Sequence, residues 1–142
     1  MVVQLIATTS LLWVGMMLGI TLANWAKFRA SGLTKPIGLE VGREIFTVFN
    51  QIQVILLIFI IVMSFMAHLS YPNWLLICML SVILGLQLLW LFPILNKRVK
   101  MALAGEQLMP SSVHAWYGIM ELIKCICLII LSVKDGFCLN FY

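Results

Sequence analysis

Charge is what this sequence has least of: 10% of its 142 residues are Asp, Glu, Lys or Arg, and aspartate occurs once, at Asp135. So little charge cannot clothe a soluble domain, whose surface needs roughly a quarter of its residues charged. Histidine is equally scarce. His68 and His114 are the only two, and they fall at opposite ends of apolar runs, about 30 Å apart if each run spans a hydrocarbon core. That separation excludes a metal or haem held jointly by both within one chain. A haem on one histidine with a methionine partner stays open, although methionine in an apolar helix more often serves packing. There are no paired carboxylates, no glycine-rich phosphate loop, no histidine cluster and no serine–histidine arrangement. The sequence therefore carries no motif for a metal, haem or nucleotide, and no cofactor is assigned. Of the four cysteines, Cys78, Cys125 and Cys127 lie inside apolar runs and Cys138 stands alone near the C-terminal end. Two residues apart on a helix, Cys125 and Cys127 point about 200° apart, so they form neither a metal pair nor a CxxC motif.

What is there is apolar. Hydrophobic residues make up 63% of the chain and the mean hydropathy is +1.11, which makes lipid the solvent. A crossing takes about 20 apolar residues, so four crossings with short connections nearly use up the length and leave no room for an extramembrane domain. The hydrophobic pattern predicts helices over about 1–26, 45–68, 74–95 and 113–133, separated by polar loops at 27–44 and 96–112 and a tight turn holding Tyr71 and Pro72. The first run begins without a positive stretch, so it is expected to be retained rather than cleaved as a signal. Ser111 or Ser112 is expected to cap the fourth helix, and Lys134, Asp135 and Gly136 to end it.

The net charge of +4 and pI near 9.0 do not point to nucleic acid, because the basic residues sit beside membrane segments. Lys27, Arg29, Lys35 and Arg43 fall in the first loop and Lys97, Arg98 and Lys100 in the third, against Lys134 alone after the last helix. Juxtamembrane Lys and Arg report orientation, and this distribution places loops one and three in the cytoplasm and both termini outside. The expected fold is an all-α integral membrane protein, an antiparallel up-down-up-down bundle of four transmembrane helices. A bacterial inner membrane or its equivalent is the expected location. Gly15 with Gly19, and Ser81 with Gly85, are small-residue pairs at helix spacing and hence candidate packing faces.

Orientation gives the intramembrane polar residues a common address. Asn24, Asn50, Gln51, Gln53, Gln87, Asn96, His114, Tyr117, Glu121 and Lys124 all fall in the cytoplasmic half; the outer half is almost wholly apolar, apart from serine and threonine hydroxyls, which can bond their own helix. Glu121 lies about 12 Å along the fourth helix at 1.5 Å per residue, and Lys124 follows at i+3, where the two can pair. Tyr117, four residues before Glu121, and His114, seven before it, continue the same stripe. Ionisable groups at membrane depth cost about 2.5–3.5 kcal/mol each, so they face protein or water and often mark function. Two readings follow. A register-fixing buried pair belongs to a non-enzymatic accessory or self-assembling subunit that meets lipid, other membrane subunits or copies of itself. The alternative is an embedded enzyme or binder for a lipophilic small molecule, a quinone or aromatic, using Glu121, Lys124 and His114. The first is favoured, and enzymatic activity is not assigned.

The segments Gly19-Ile20-Thr21-Leu22-Ala23-Asn24 and Phe92-Pro93-Ile94-Leu95-Asn96, with His114-Ala115-Trp116-Tyr117 running on through Glu121 and Lys124, resemble a loose group of small four-helix membrane proteins. That group includes the anthrone oxygenase-like proteins and related families of unknown function, and the resemblance covers most of the chain. It implies the fold and topology, and it implies Asn24, Asn96 and His114 as site positions on the cytoplasmic side. After His114 the chain departs from the oxygenase-like pattern: an acidic residue and lysine replace an expected arginine.

Overall fold

The computed structural model describes residues 1–27, 29, 32, 34–107 and 111–137, with side chains through Lys134; Pro110, Cys138 and Asn140 lie outside the described residues. It contains four long helices: α1 (Val2–Lys27), α2 (Lys35–Met66), α3 (Tyr71–Leu103) and α4 (Val113–Phe137). All four are long and apolar enough to cross a membrane. Only 28–33% of each apolar span is buried inside the bundle, and Leu11, Leu22, Ile55, Val82, Leu89 and Ile126 are exposed. So much exposed apolar surface requires a lipid surround.

Each helix packs on its neighbours in sequence and α4 closes the ring on α1, the most extensive of the contacts. The core is a continuous layer of Ile6, Trp13, Met17, Phe49, Ile60, Ile77, Leu84, Leu128 and Leu131. Hydroxyls inside it bond back into their own helices: Ser10 donates to the Ile6 carbonyl at 2.9 Å, and Ser64 and Ser81 do the same to Ile60 and Ile77. These hydroxyls need no water.

Two helices are longer than their apolar runs. α2 begins at Lys35, not near 45, and α3 continues to Leu103, not 95. The glycines of 27–44 read as loop residues in sequence, but Pro36 opens α2 at its first turn, where its missing N–H costs nothing, and Gly38 and Gly42 are buried within it. The Lys27 ammonium lies directly over Gly42, in the space a Cβ would take. Gly42 is thus a glycine whose Cβ space is taken, by the end of the Lys27 side chain. Gly15 and Gly19 are exposed, with nothing within 4 Å of a Cβ placed there. They miss the packing face because the buried stripe of α1 runs Ile6, Ser10, Trp13, Met17, on another side of the helix. Gly85 likewise has no neighbour within 4 Å, and Ser81 only bonds back to Ile77.

In α3 one wide turn, Gln87–Leu91, has π geometry, and the Phe92 N–H reaches back to the Gln87 carbonyl. Pro93 explains it: proline cannot complete the regular bond to residue 89, and widening the preceding turn relieves its ring. The extra residue resets the stripe, so that Phe92, Asn96 and Val99 continue one face. α3 ends at Gly105, whose φ of +81° lets Gly105 and Glu106 donate to the Ala102 and Met101 carbonyls, a closure that favours glycine.

The same closure ends α2, with His68 in the glycine position. Its φ is +48°, and His68 and Leu69 donate to the Phe65 and Ser64 carbonyls, while Phe65 and Trp74 clasp the turn with ring centroids 4.6 Å apart. Holding a non-glycine residue there costs about 1–2 kcal/mol. His68→Gly should leave stability unchanged or raise it by up to about 1 kcal/mol, whereas His68→Val, β-branched, should lower it by at least that much. Unfolding midpoints in mixed micelles check both. At the other end, Ser111 supplies the expected cap, its hydroxyl accepting the Val113 N–H at 3.2 Å, and α4 runs on past Lys134 to Phe137.

Candidate functional site

The polar residues of the four helices divide into two connected sets. The first is an internal clamp. Lys124 is wholly buried; its ammonium donates to Gln53 Oε1 and, at 2.8 Å, to Glu121 Oε1. Gln87, also wholly buried, donates to the same Glu121 oxygen at 3.1 Å and weakly to the Tyr117 carbonyl at 3.5 Å. Tyr117 donates its hydroxyl to Asn50 Oδ1 at 2.8 Å and sets its ring edge-on to Phe46 at 5.0 Å. Three helices are tied: Asn50 and Gln53 from α2, Gln87 from α3, and Tyr117, Glu121 and Lys124 from α4. The sequence stripe on α4 is therefore real in space. Gln51, one residue off the α2 stripe, faces outward.

The second set surrounds a cavity of about 580 Å³ at the end of the bundle where Lys27 and Arg43 stand. α1 contributes Met17, Leu18, Thr21, Asn24, Trp25 and Lys27; α2 contributes Leu39, Gly42, Arg43 and Phe46; α3 contributes Phe92, Leu95, Asn96 and Val99. α4 adds His114, Tyr117, Gly118, Glu121, Leu122 and Cys125. The volume lies within the range of about 300–1,000 Å³ that holds a small organic ligand, and the mostly apolar wall with a few polar groups has the make-up of such sites. Glu121 belongs to both sets. Lys124, Gln53, Gln87 and Asn50 do not line the cavity.

Among the described residues, Asn24 Nδ2, Asn96 Oδ1 and Glu121 Oε2 of the wall residues are buried without a hydrogen-bond partner, as are Asn50 Nδ2, Gln53 Nε2 and Gln87 Oε1 in the clamp. For Asn24 the amide orientation follows from chemistry. Lys27 can only donate, and it does so to Asn24 Oδ1 at 2.6 Å, which leaves Nδ2 turned elsewhere. Arg43 is engaged by Glu44 at 2.5 Å. A donor, an acceptor and a carboxylate oxygen, all buried without partners, are costly unless something polar meets them.

Among the candidate residues, Asn24, Asn96, His114, Tyr117 and Glu121 come together on the cavity, while Asn50, Gln53, Gln87 and Lys124 form the support behind it. Sequence reasoning missed Arg43, Phe46, Gly118 and Phe92. A signal existed for the α2 pair: Leu39, Gly42, Phe46, Asn50 and Gln53 recur at helical spacing, visible only once 35–44 is read as helix. Among the described residues no three His, Cys, Asp or Glu side chains gather as metal ligands, and Cys78, Cys125 and Cys127 are free. Comparison with protein-family models, with curated proteins and with solved structures gave no match.

Proposed function

We propose that this protein binds a lipophilic small molecule with a polar head, of the quinone or aromatic class, in the cavity between its four helices. The observation that carries the reading is an apolar space of ligand size whose wall includes the polar side chains of Asn24, Asn96 and Glu121, each with one polar atom that has no partner among the described residues and that a turn of its side chain would bring to a ligand. The head that satisfies them carries both hydrogen-bond donors and acceptors, as a hydroxyl beside a carbonyl does. Asn24 would donate to it, and Asn96 and Glu121 would accept from it. The clamp behind Glu121 holds that carboxylate in place. Asn24, Asn96 and His114, the positions implied by the resemblance to anthrone oxygenase-like proteins, stand on the same wall, and a proton moved by Glu121 or His114 would be the catalytic extension of the reading.

In this proposal the bundle is antiparallel, with both termini outside and the cavity in the cytoplasmic half of a bacterial inner membrane or its equivalent. The support is the grouping of Lys27, Lys35, Arg43, Lys97, Arg98 and Lys100 around one end of the bundle. A second reading, a subunit assembling with itself or with other membrane proteins, is favoured by the outward-facing Gly15 and Gly19.

Mass spectrometry of the protein extracted in its native lipid should find one lipophile enriched over the bulk membrane. Asn24→Leu with Asn96→Leu should lower its occupancy at least tenfold, about 1.4 kcal/mol, without moving the unfolding midpoint. No enrichment in the wild type, or full occupancy in the double variant, defeats the binding reading. A cross-linked dimer lost in Gly19→Leu, with no lipophile present, would establish the second.

A further inference from the structure

The buried residues that α1 and α4 share gather toward one end of the bundle. There, Ser132 donates to the Ala7 carbonyl at 3.3 Å, and Ile6, Trp13, Leu128 and Leu131 are buried together. Toward the cavity the seam thins. No residue of α1 after Met17 is buried as a whole, and before Lys124 only Tyr117 of α4 is. In that stretch Leu18, Trp25 and Leu122 wall the cavity while remaining 62%, 59% and 62% exposed. A side chain that lines a cavity and is also mostly exposed marks where the cavity reaches the outer surface. Gly118 lies one turn before Leu122, is itself on the cavity wall, and would carry a Cβ into open space. The surface reached is flanked by the exposed apolar residues Leu22 and Ile126, and the Arg29 guanidinium lies over the Trp25 ring, 4.4 Å from its centroid, at one edge.

From this geometry we infer that the cavity opens sideways into the bilayer through a port between α1 and α4, framed by Leu18, Trp25, Gly118 and Leu122. The occupant is then a molecule dissolved in the membrane, admitted from the hydrocarbon, with its head among Asn24, Asn96 and Glu121 and its apolar part left lying in the port. The ligand part of this statement rests on the binding proposal above; the port does not. Gly118 keeps the port open because it is the one wall position on α4 with no side chain to fill it. A water-soluble solute has no advantage at such an opening, whereas a lipophile is concentrated in front of it.

The full chain in phosphatidylcholine vesicles is exposed to a bilayer-dissolved aryl diazirine or to a charged, membrane-impermeant one, illuminated, and the insertion sites are mapped by mass spectrometry. The carbene reports access without needing any ligand. The lipophilic reagent should label the wall residues Phe46 and Phe92, and the impermeant reagent should not. Gly118→Leu, a substitution into open space by a better helix former, should reduce that labelling at least fivefold, and Leu122→Ala should increase it. Labelling of the outer-surface residues Ile55 and Val82 should be the same in all three proteins. Phe46 and Phe92 reached only by the impermeant reagent, or labelled equally in wild type and Gly118→Leu, would overturn the port. An enriched lipophile retained despite that outcome leaves the binding reading intact. Bilayer labelling of the wall in a protein that carries no lipophile does the reverse.

Discussion

Lys124→Met should be the most damaging single substitution in this protein, lowering its stability by about 3–5 kcal/mol. Lys124 is wholly buried, and among the described residues its ammonium is the one cation within hydrogen-bonding distance of the Glu121 carboxylate. Removing it leaves that carboxylate in a low-dielectric interior with a single amide donor, Gln87, on one oxygen and none on the other. Breaking one side of a buried ion pair costs that much because the abandoned charge is no longer solvated by anything. Gln53, whose oxygen accepts from Lys124, loses its partner as well. The decisive comparison is with Glu121→Gln combined with Lys124→Met, in which no charge is left behind. That double variant should recover most of the loss, since replacing both members of a buried pair is often neutral. Unfolding by sodium dodecyl sulfate in mixed micelles measures all three. A Lys124→Met protein as stable as the wild type would mean that the clamp does not hold the bundle. Equal damage in single and double variants would mean that the loss came from packing and not from charge.

Trp13→Ala should cost about 3 kcal/mol, through a different mechanism. Trp13 is the largest fully buried side chain among the described residues and belongs to the core cluster with Ile6, Leu128 and Leu131. In water such a truncation costs 3–5 kcal/mol, part of it from transfer of apolar surface. In a membrane the transfer part shrinks, because lipid is as apolar as the core, and what remains is lost van der Waals contact around an unfilled space. The indole nitrogen has no hydrogen-bond partner in the structure, so no polar loss is added, and Trp13→Phe should cost well under half as much. The same detergent titration reads both. An unchanged midpoint in Trp13→Ala would show that α1 and α4 are not held at this layer. The cavity lies toward the other end of the same seam. Loss of Trp13 should therefore weaken the frame on which the port depends without touching a cavity wall residue.

Some of this was written openly in the sequence. The four apolar runs are long enough to cross a bilayer, and length with hydropathy is a property of each segment alone. The i+3 spacing of Glu121 and Lys124 and the i+4 spacing of Tyr117 and Glu121 put them on one face of α4, and helical geometry guarantees that whatever the neighbours do. Other features were hidden by local signals with two meanings. Gly38 and Gly42 read equally well as loop formers and as a close-packing face, and only the Lys27 side chain lying over Gly42 distinguishes the two. Gly15 and Gly19 had the spacing of a packing motif, but which side of α1 meets the bundle is settled by its partners.

The division of labour among the polar residues was the least legible part. In sequence Asn50, Gln53, Gln87, Glu121 and Lys124 form one undivided set in one half of the helices. Whether Lys124 faces a ligand or Gln53 depends on which helix stands opposite α4 and at what height, a relation between segments far apart in the chain. The chain by itself determined that there are four helices of bilayer-spanning length, that the charge collects at one end, and that a carboxylate and an ammonium lie one turn apart within the last of them. Only the tertiary structure decided that Lys124 turns inward to Gln53 while Glu121 borders a cavity, because hydropathy and periodicity act along one helix and a cavity exists only between four.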